Sequence, residues 1–199
     1  MNKLFFVIIL IGYLCINNAK ANDLVSIGES PVYTVDGSLV FPKNYREWVF
    51  LSSGLDMSYN PKAVSSKAPV FDNVFVNSSS YAYFVEKGFW PDKTQLVLEH
   101  RTSASKTTIN HRGSFQTPEV FGLEVHVKDT SKFKNGWAFF TLENGENAKL
   151  VPEKEDCYSC HMAHAAVDTT FVQFYPTLIS IAEKYSTFSE NYMKESGKK

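Results

Sequence analysis

The residues Cys157, Tyr158, Ser159, Cys160 and His161 carry the sharpest chemistry in this chain. Two thiols separated by two residues, on one helical turn, match the separation of two vinyl groups on neighbouring pyrrole rings of a haem. The residue directly after the second thiol then lies beneath the porphyrin, where an imidazole nitrogen can ligate iron. Every fixed position of the C-x-x-C-H pattern thus has a geometric reason. The motif implies one covalently attached haem c, with Cys157 and Cys160 as the attachment points and His161 as the metal ligand.

Three other chemistries use the same residue types. A thioredoxin-type dithiol follows an early strand in a βαβ unit, whereas this pair sits late in a β-rich chain. A zinc site would draw on Cys157, Cys160, His161 and His164, but adjacent ligands close a tetrahedron poorly and the spacing departs from finger patterns. A structural disulfide between the two cysteines is the third. Elsewhere, His100, His111 and His126 are each able to serve as a sixth ligand or an acid–base group, and Met57 as an axial thioether. Arg46 and Arg101 could pair with propionates or with surface carboxylates. Asp168 reads as a helix N-cap, and His164, one turn beyond His161, as a cap or a surface hydrogen-bonding group.

The elements that must position these groups are mostly strands. Asn73–Asn77, Thr94–Arg101, Val120–Val127 and Gly136–Leu142 alternate apolar and polar residues and are rich in β-branched and aromatic types. A short turn at Tyr45 leads into another strand through Leu51. Ser78–Ser80 offer caps for a short helix ending at Lys87, where Gly88 stops it. Ser103–Pro118 reads as polar and irregular. Period 3.6 returns between Phe171 and Tyr185, predicting one last helix. The expected class is α+β, predominantly β: an antiparallel sheet with a few packed helices and the haem c near the C-terminal helix.

The start Met1-Asn2-Lys3, an apolar run from Leu4 to Cys15 and the exit Ala19-Lys20-Ala21 have the layout of a secretory signal peptide, residues 1–21. The run is shorter than the roughly 20 residues a membrane span needs, so no membrane span is expected. Residues 22–199 are expected to form one domain, periplasmic or secreted, with Cys157 and Cys160 as its only cysteines. Losing Lys3 and Lys20 leaves eighteen basic against twenty-one acidic residues, a net charge of −3. Without a basic block, nothing points to nucleic acid. The basic end Lys194–Lys199 reads as a frayed tail.

Beyond the haem motif, the chain resembles the cytochrome P460 family, which includes the P460 enzymes and the cytochromes c′-β. The resembling stretches run in order through nearly all of residues 22–199. They are Pro42–Val49, Val74–Asn77 with its Tyr-rich helix, Gly122–Val125 with Val127–Asp129, Gly136–Phe140, and Cys157–Leu178. The resemblance implies a β-rich haem protein, a homodimer, with five-coordinate iron on His161. Its open side would take a small gaseous or nitrogenous ligand, with a redox partner cytochrome where electrons are exchanged. P460 enzymes oxidise hydroxylamine and cross-link a strand lysine to the haem. The matching position here is Leu98, which has no nucleophilic nitrogen, and Lys93 lies about five residues away. The c′-β members bind nitric oxide and carbon monoxide behind an apolar cap, and Phe50 and Phe75 resemble the phenylalanines of that cap. With Leu98 they form the expected distal pocket. Glu153 and Glu155 lie near the place where the enzymes carry a catalytic carboxylate.

Three functions follow as expectations. Foremost is a nitric oxide-binding haem c protein for sensing, buffering or detoxification. The alternatives are an oxidoreductase acting on hydroxylamine or nitric oxide, and a six-coordinate electron-transfer cytochrome.

Overall fold

A computed structural model describes residues 29–59, 62–64, 67–143 and 145–197. The segment read as a signal peptide lies outside the described residues. Among these residues seven strands form one antiparallel sheet: β1 (Leu39–Val40), β2 (Val49–Leu55), β3 (Phe71–Val76), β4 (Gln95–Ser105), β5 (Ser114–Lys128), β6 (Trp137–Leu142) and β7 (Asn147–Leu150). Their order across the sheet is β1-β7-β6-β5-β4-β3-β2, so the chain meanders from β2 to β7 and β1 closes beside β7. Among the described residues four α-helices accompany it: α1 (Ser78–Lys87), α2 (Asp156–His164), α3 (Ile179–Tyr185) and α4 (Glu190–Ser196). The structure is thus α+β and mostly strand, as the alternation of residues predicts. Among the described residues no helix is long and apolar enough to cross a membrane.

Alternation along each strand gives the sheet two apolar faces. One is packed by Leu39, Phe41, Tyr45 and Trp48 from the first segment, against Val97, Val125, Val127 and Phe140. The other is covered by helices and by the chain around Ala166–Leu178. It buries Val76, Phe84, Trp90 and Leu96. Phe84 and Trp90 are fully buried with ring centroids 4.3 Å apart. Each contributes about 2–3 kcal/mol by leaving water. The site lies on this second face.

Three expectations change. The stretch from Ser103 to Pro118 is irregular only at residues 106–113: β4 runs on to Ser105 and β5 starts at Ser114, pairing as an outer arm of the hairpin. Backbone pairing carries the arm, and polar side chains add to it: the Gln116 amide exchanges hydrogen bonds with that of Asn73, and the Thr102 and Thr117 hydroxyls bond each other. The expected helix from Phe171 to Tyr185 is split into a 3-10 turn at Val172–Phe174 and α3. Pro176 lacks the N–H of a continuing helix and forces Tyr175 out to φ −106°, ψ 91°. Of the basic end, Lys194–Ser196 belong to α4, whose N-cap Ser189 accepts through its side chain from the Tyr192 N–H.

Candidate functional site

Helix α2 carries the C-x-x-C-H motif on a single run of nine residues. Asp156 in its first turn is favoured by the helix dipole. The helix is tied to the sheet by Tyr158, whose hydroxyl donates to the Val151 carbonyl (3.0 Å) and accepts from the Phe139 N–H (3.2 Å). Past its C-terminus, Ser189 donates through Oγ to the Ala165 carbonyl and Asn191 donates to the Met162 carbonyl, so α4 clamps the end of the motif. Cys157 and Cys160 are both free thiols, half-buried, and burial pushes both thiols up, keeping them protonated.

His161 is held on every side. Its Nδ1 lies 2.7 Å from the Thr169 carbonyl oxygen. A carbonyl only accepts, so Nδ1 carries the proton and Nε2 keeps its lone pair. Phe171 stacks obliquely on the ring at 4.2 Å, and Phe139 and His126 meet it edge-on at 4.6 and 5.1 Å. Burial pushes the His161 pKa down, which favours the neutral imidazole a metal requires.

The carbonyl that orients His161 belongs to a tight turn. Asp168 and Thr169 both have positive φ, 50° and 58°. Such a pair is costly for residues with side chains and persists only where its surroundings fix it. The Asp168 carboxylate accepts from Lys128 Nζ (3.0 Å) and from the Trp90 N–H (3.2 Å). The Trp90 indole donates to the Thr170 hydroxyl (2.8 Å), which in turn donates to the Val167 carbonyl (2.6 Å). Asp168 is therefore a turn anchor, not the N-cap the sequence suggested.

His161 opens onto a cavity of about 330 Å³ between the sheet and the chain around Phe171–Tyr175. The strand register lays out its sheet wall. Val74, Leu98 and Glu124 stand side by side on β3, β4 and β5, with Asp72 beside His100 on one side and Leu96 beside His126 on the other. Leu98, the expected lysine position, thus stands on the wall of the cavity that His161 faces. Met57 and Tyr59 reach the same cavity from the loop after β2.

Phe50 and Phe75 are placed elsewhere. Val74 pairs with Leu98, so Phe75, one residue on, must face the other side of the sheet. There it packs edge-on against Phe50 (5.6 Å) and Tyr45 (5.4 Å), and Phe50 remains 51% exposed. Neither Phe50 nor Phe75 lines the cavity that His161 faces; Leu98, Val74 and Leu96 do. The cavity is also less apolar than the lid implied, because Asp72, His100 and Glu124 line it. Their charges are invisible to any one segment, being 28 and 24 residues from His100.

The remaining candidates separate. His111 is exposed. His126 is buried beside His161, its pKa pushed well down by burial, and its Nε2 has no partner among the described residues. His164 turns away to Glu195 (3.1 Å). Arg46 and Arg101 both hold the buried Glu99 on the opposite sheet face. Glu153 and Glu155 are exposed. Glu153 reaches only a small crevice behind His161, of about 80 Å³, and neither lines the main cavity. Among the described residues no cluster of three or more His, Cys, Asp or Glu is arranged to hold a metal ion on its own.

A haem fits these residues. The paired thiols, the imidazole with a fixed tautomer and a free Nε2, and the cavity it faces are the donor set and space such a group uses. No curated protein matches the chain. The family model for cytochrome P460 matches residues 42–172, well over half of the sequence and including the whole motif. Alternating strands, the late C-x-x-C-H helix and this match lead to one assignment: the chain belongs to the cytochrome P460 family, whose cofactor is a haem.

Proposed function

We propose that the protein is an exported mono-haem c protein that binds nitric oxide, or a similar small nitrogenous or diatomic molecule, at an open iron position. Cys157 and Cys160 hold the group by thioether bonds, and His161 supplies its axial nitrogen. When bound, the haem supplies an iron that accepts the lone pair of a small ligand. The observation that carries the reading is the pairing of His161, its Nδ1 committed to Thr169, with a cavity walled by Leu98 rather than by lysine. Phe171 and Phe139 keep the imidazole from rotating, and the Thr169 carbonyl strengthens it as a donor. Val74, Leu96 and Leu98 make that part of the wall apolar and put no lysine there to cross-link. A homodimer and a periplasmic or secreted setting belong to the same proposal.

A second reading is favoured by one observation: Glu124, a carboxylate beside Leu98, lines the same cavity. An acid–base group there suits oxidation of hydroxylamine or nitric oxide, with electrons passed to a partner cytochrome.

The test is the mass and the ferrous spectrum of protein produced with a haem-maturation system. The expected result is one covalent haem, lost in Cys157→Ser with Cys160→Ser, and a high-spin ferrous spectrum that changes on adding nitric oxide. A strongly red-shifted Soret band would favour the enzyme. Sharp low-spin bands without added ligand would favour an electron carrier, with Met57, which lines the cavity, as the candidate thioether. The mass of the bare polypeptide would overturn the proposal.

A further inference from the structure

We infer that Tyr175 is a specificity-determining donor in the cavity that His161 faces: its hydroxyl hydrogen-bonds the outer atom of a small neutral ligand and so favours nitric oxide over carbon monoxide. The inference rests on the haem reading above and deepens it by naming the side chain that selects the ligand.

The chain around Tyr175 builds its position. The 3-10 turn at Val172–Phe174 runs into Pro176, and Tyr175 leaves that turn with an extended backbone. Three hydrogen bonds pin the backbone there. The Tyr175 N–H donates to the Val172 carbonyl (2.9 Å), and its own carbonyl accepts from the Leu178 and Ile179 N–H groups (2.9 and 3.1 Å). The side chain is 7% exposed, shares a core with Leu96, Val172 and Leu178, and also lines the cavity. Its hydroxyl, by contrast, has no hydrogen-bond partner among the described residues. A buried phenol normally finds one, because a hydroxyl taken from water and left unpaired is costly. The cavity is where that partner can enter.

The other titratable groups on the wall are committed or stand elsewhere. Nδ1 of His161 is used by Thr169. His100 lies 2.7 Å from Asp72 through Nδ1 and 3.6 Å from Glu124 through Nε2, and ionised carboxylates only accept. His126 meets the His161 ring edge-on at 5.1 Å, beside the axial imidazole. Tyr59, the second phenol, is 63% exposed and meets water. Among the described residues the rings in contact with His161 are those of Phe171, Phe139 and His126. Tyr175 is not one of them, so its phenol stands back from the axial imidazole.

Burial pushes the Tyr175 pKa well up, so the hydroxyl stays protonated and serves as a donor. Its surroundings decide what it meets. A carboxylate brought against it would lie among Leu96, Val172 and Leu178, where burying an unpaired charge is costly. The nearest cation on the wall is no remedy, because His100 is four residues along β4 from Leu96, about 13 Å. A neutral ligand carries no such penalty. Nitric oxide on ferrous iron gathers negative charge on its outer atom and accepts a hydrogen bond, whereas carbon monoxide accepts one poorly. The proton stays on Tyr175 throughout, and no electron moves.

The test compares haem-loaded Tyr175→Phe with the parent, both ferrous, with nitric oxide and carbon monoxide as probes. The substitution removes one oxygen that nothing else in the described chain holds, so the variant should keep the parent's urea midpoint. The N–O stretching frequency should rise, and nitric oxide should dissociate about three- to tenfold faster, the range a single hydrogen bond spans. Carbon monoxide dissociation should stay within about twofold of the parent. An N–O frequency that is unchanged or lower overturns the inference, whatever the rates do. A shift confined to the vibrations of the haem carboxylates overturns it by giving the hydroxyl to the haem itself. Equal acceleration of both ligands with a lowered urea midpoint also overturns it, assigning the hydroxyl a structural role. A parent preparation without haem absorbance overturns the haem reading, and this inference with it.

Discussion

His161 donates its Nδ1 proton to the Thr169 carbonyl across 2.7 Å, and Thr169 holds that carbonyl in place from a left-handed backbone, φ 58°. The imidazole is therefore oriented by a turn that its own sequence does not favour. The turn is kept by groups on two distant segments, Trp90 and Lys128, acting through Asp168.

Asp168→Asn should loosen that turn. It removes one charge of the Lys128 pair and weakens the Trp90 N–H bond, costing on the order of 1–2 kcal/mol in stability. The Thr169 carbonyl would then hold the Nδ1 proton less firmly, making His161 a poorer donor. The haem-loaded variant should show a lower iron–histidine stretching frequency and a more positive reduction potential. Unchanged values of both would disconnect Asp168 from the imidazole.

His100 should make stability depend on pH in a defined window. Its folded pKa is raised from 6.5 to about 9, so its contribution is complete below about pH 6.5 and disappears as pH rises through 9. Because Glu124 is half exposed and screened by solvent, the contribution is of the order of 1–2 kcal/mol. Urea unfolding of the parent and of His100→Gln across that range should show the parent more stable at pH 6 and the gap closing by pH 9.5. A gap that widens with pH would reverse the sign and refute the assignment.

Glu99 is 1% exposed and accepts from Tyr45, Arg46, Asn73 and Arg101, the last at 2.8 Å through Nε. Glu99→Ala strands Arg101, itself 8% exposed, without its carboxylate. The expected loss is about 3–5 kcal/mol in a denaturant titration. Tyr45, whose pKa is pushed up to about 12 by burial and by Glu99, should titrate lower in that variant.

Gly88 ends α1 at φ 81°, and a Cβ there would lie 2.5 Å from the Tyr185 Cβ. Gly88→Ala combines an unfavourable left-handed backbone with a clash against an atom that cannot swing aside, so about 2–4 kcal/mol should be lost. A thermal melt of the variant beside the parent checks the figure. An unchanged midpoint would mean that α1 and α3 separate freely.

The sequence by itself determined what is local. Spacing within five residues defined Cys157, Cys160 and His161 as a unit, and one helical turn is enough to express that geometry. Alternation gave most strands, and Gly88 gave the end of α1, because both are written in neighbouring residues. The tertiary structure decided the rest. Which face Phe75 takes depends on its register against β4, and that register sends it and Phe50 away from His161. Asp72, His100 and Glu124 meet only when three strands pair, and Asp168 finds Lys128 and Trp90 only when β5, the segment after α1 and the turn after α2 converge. Side-chain period shows that a strand has two faces. Only the pairing of strands with one another, and the packing of the helices, determines what each face will touch.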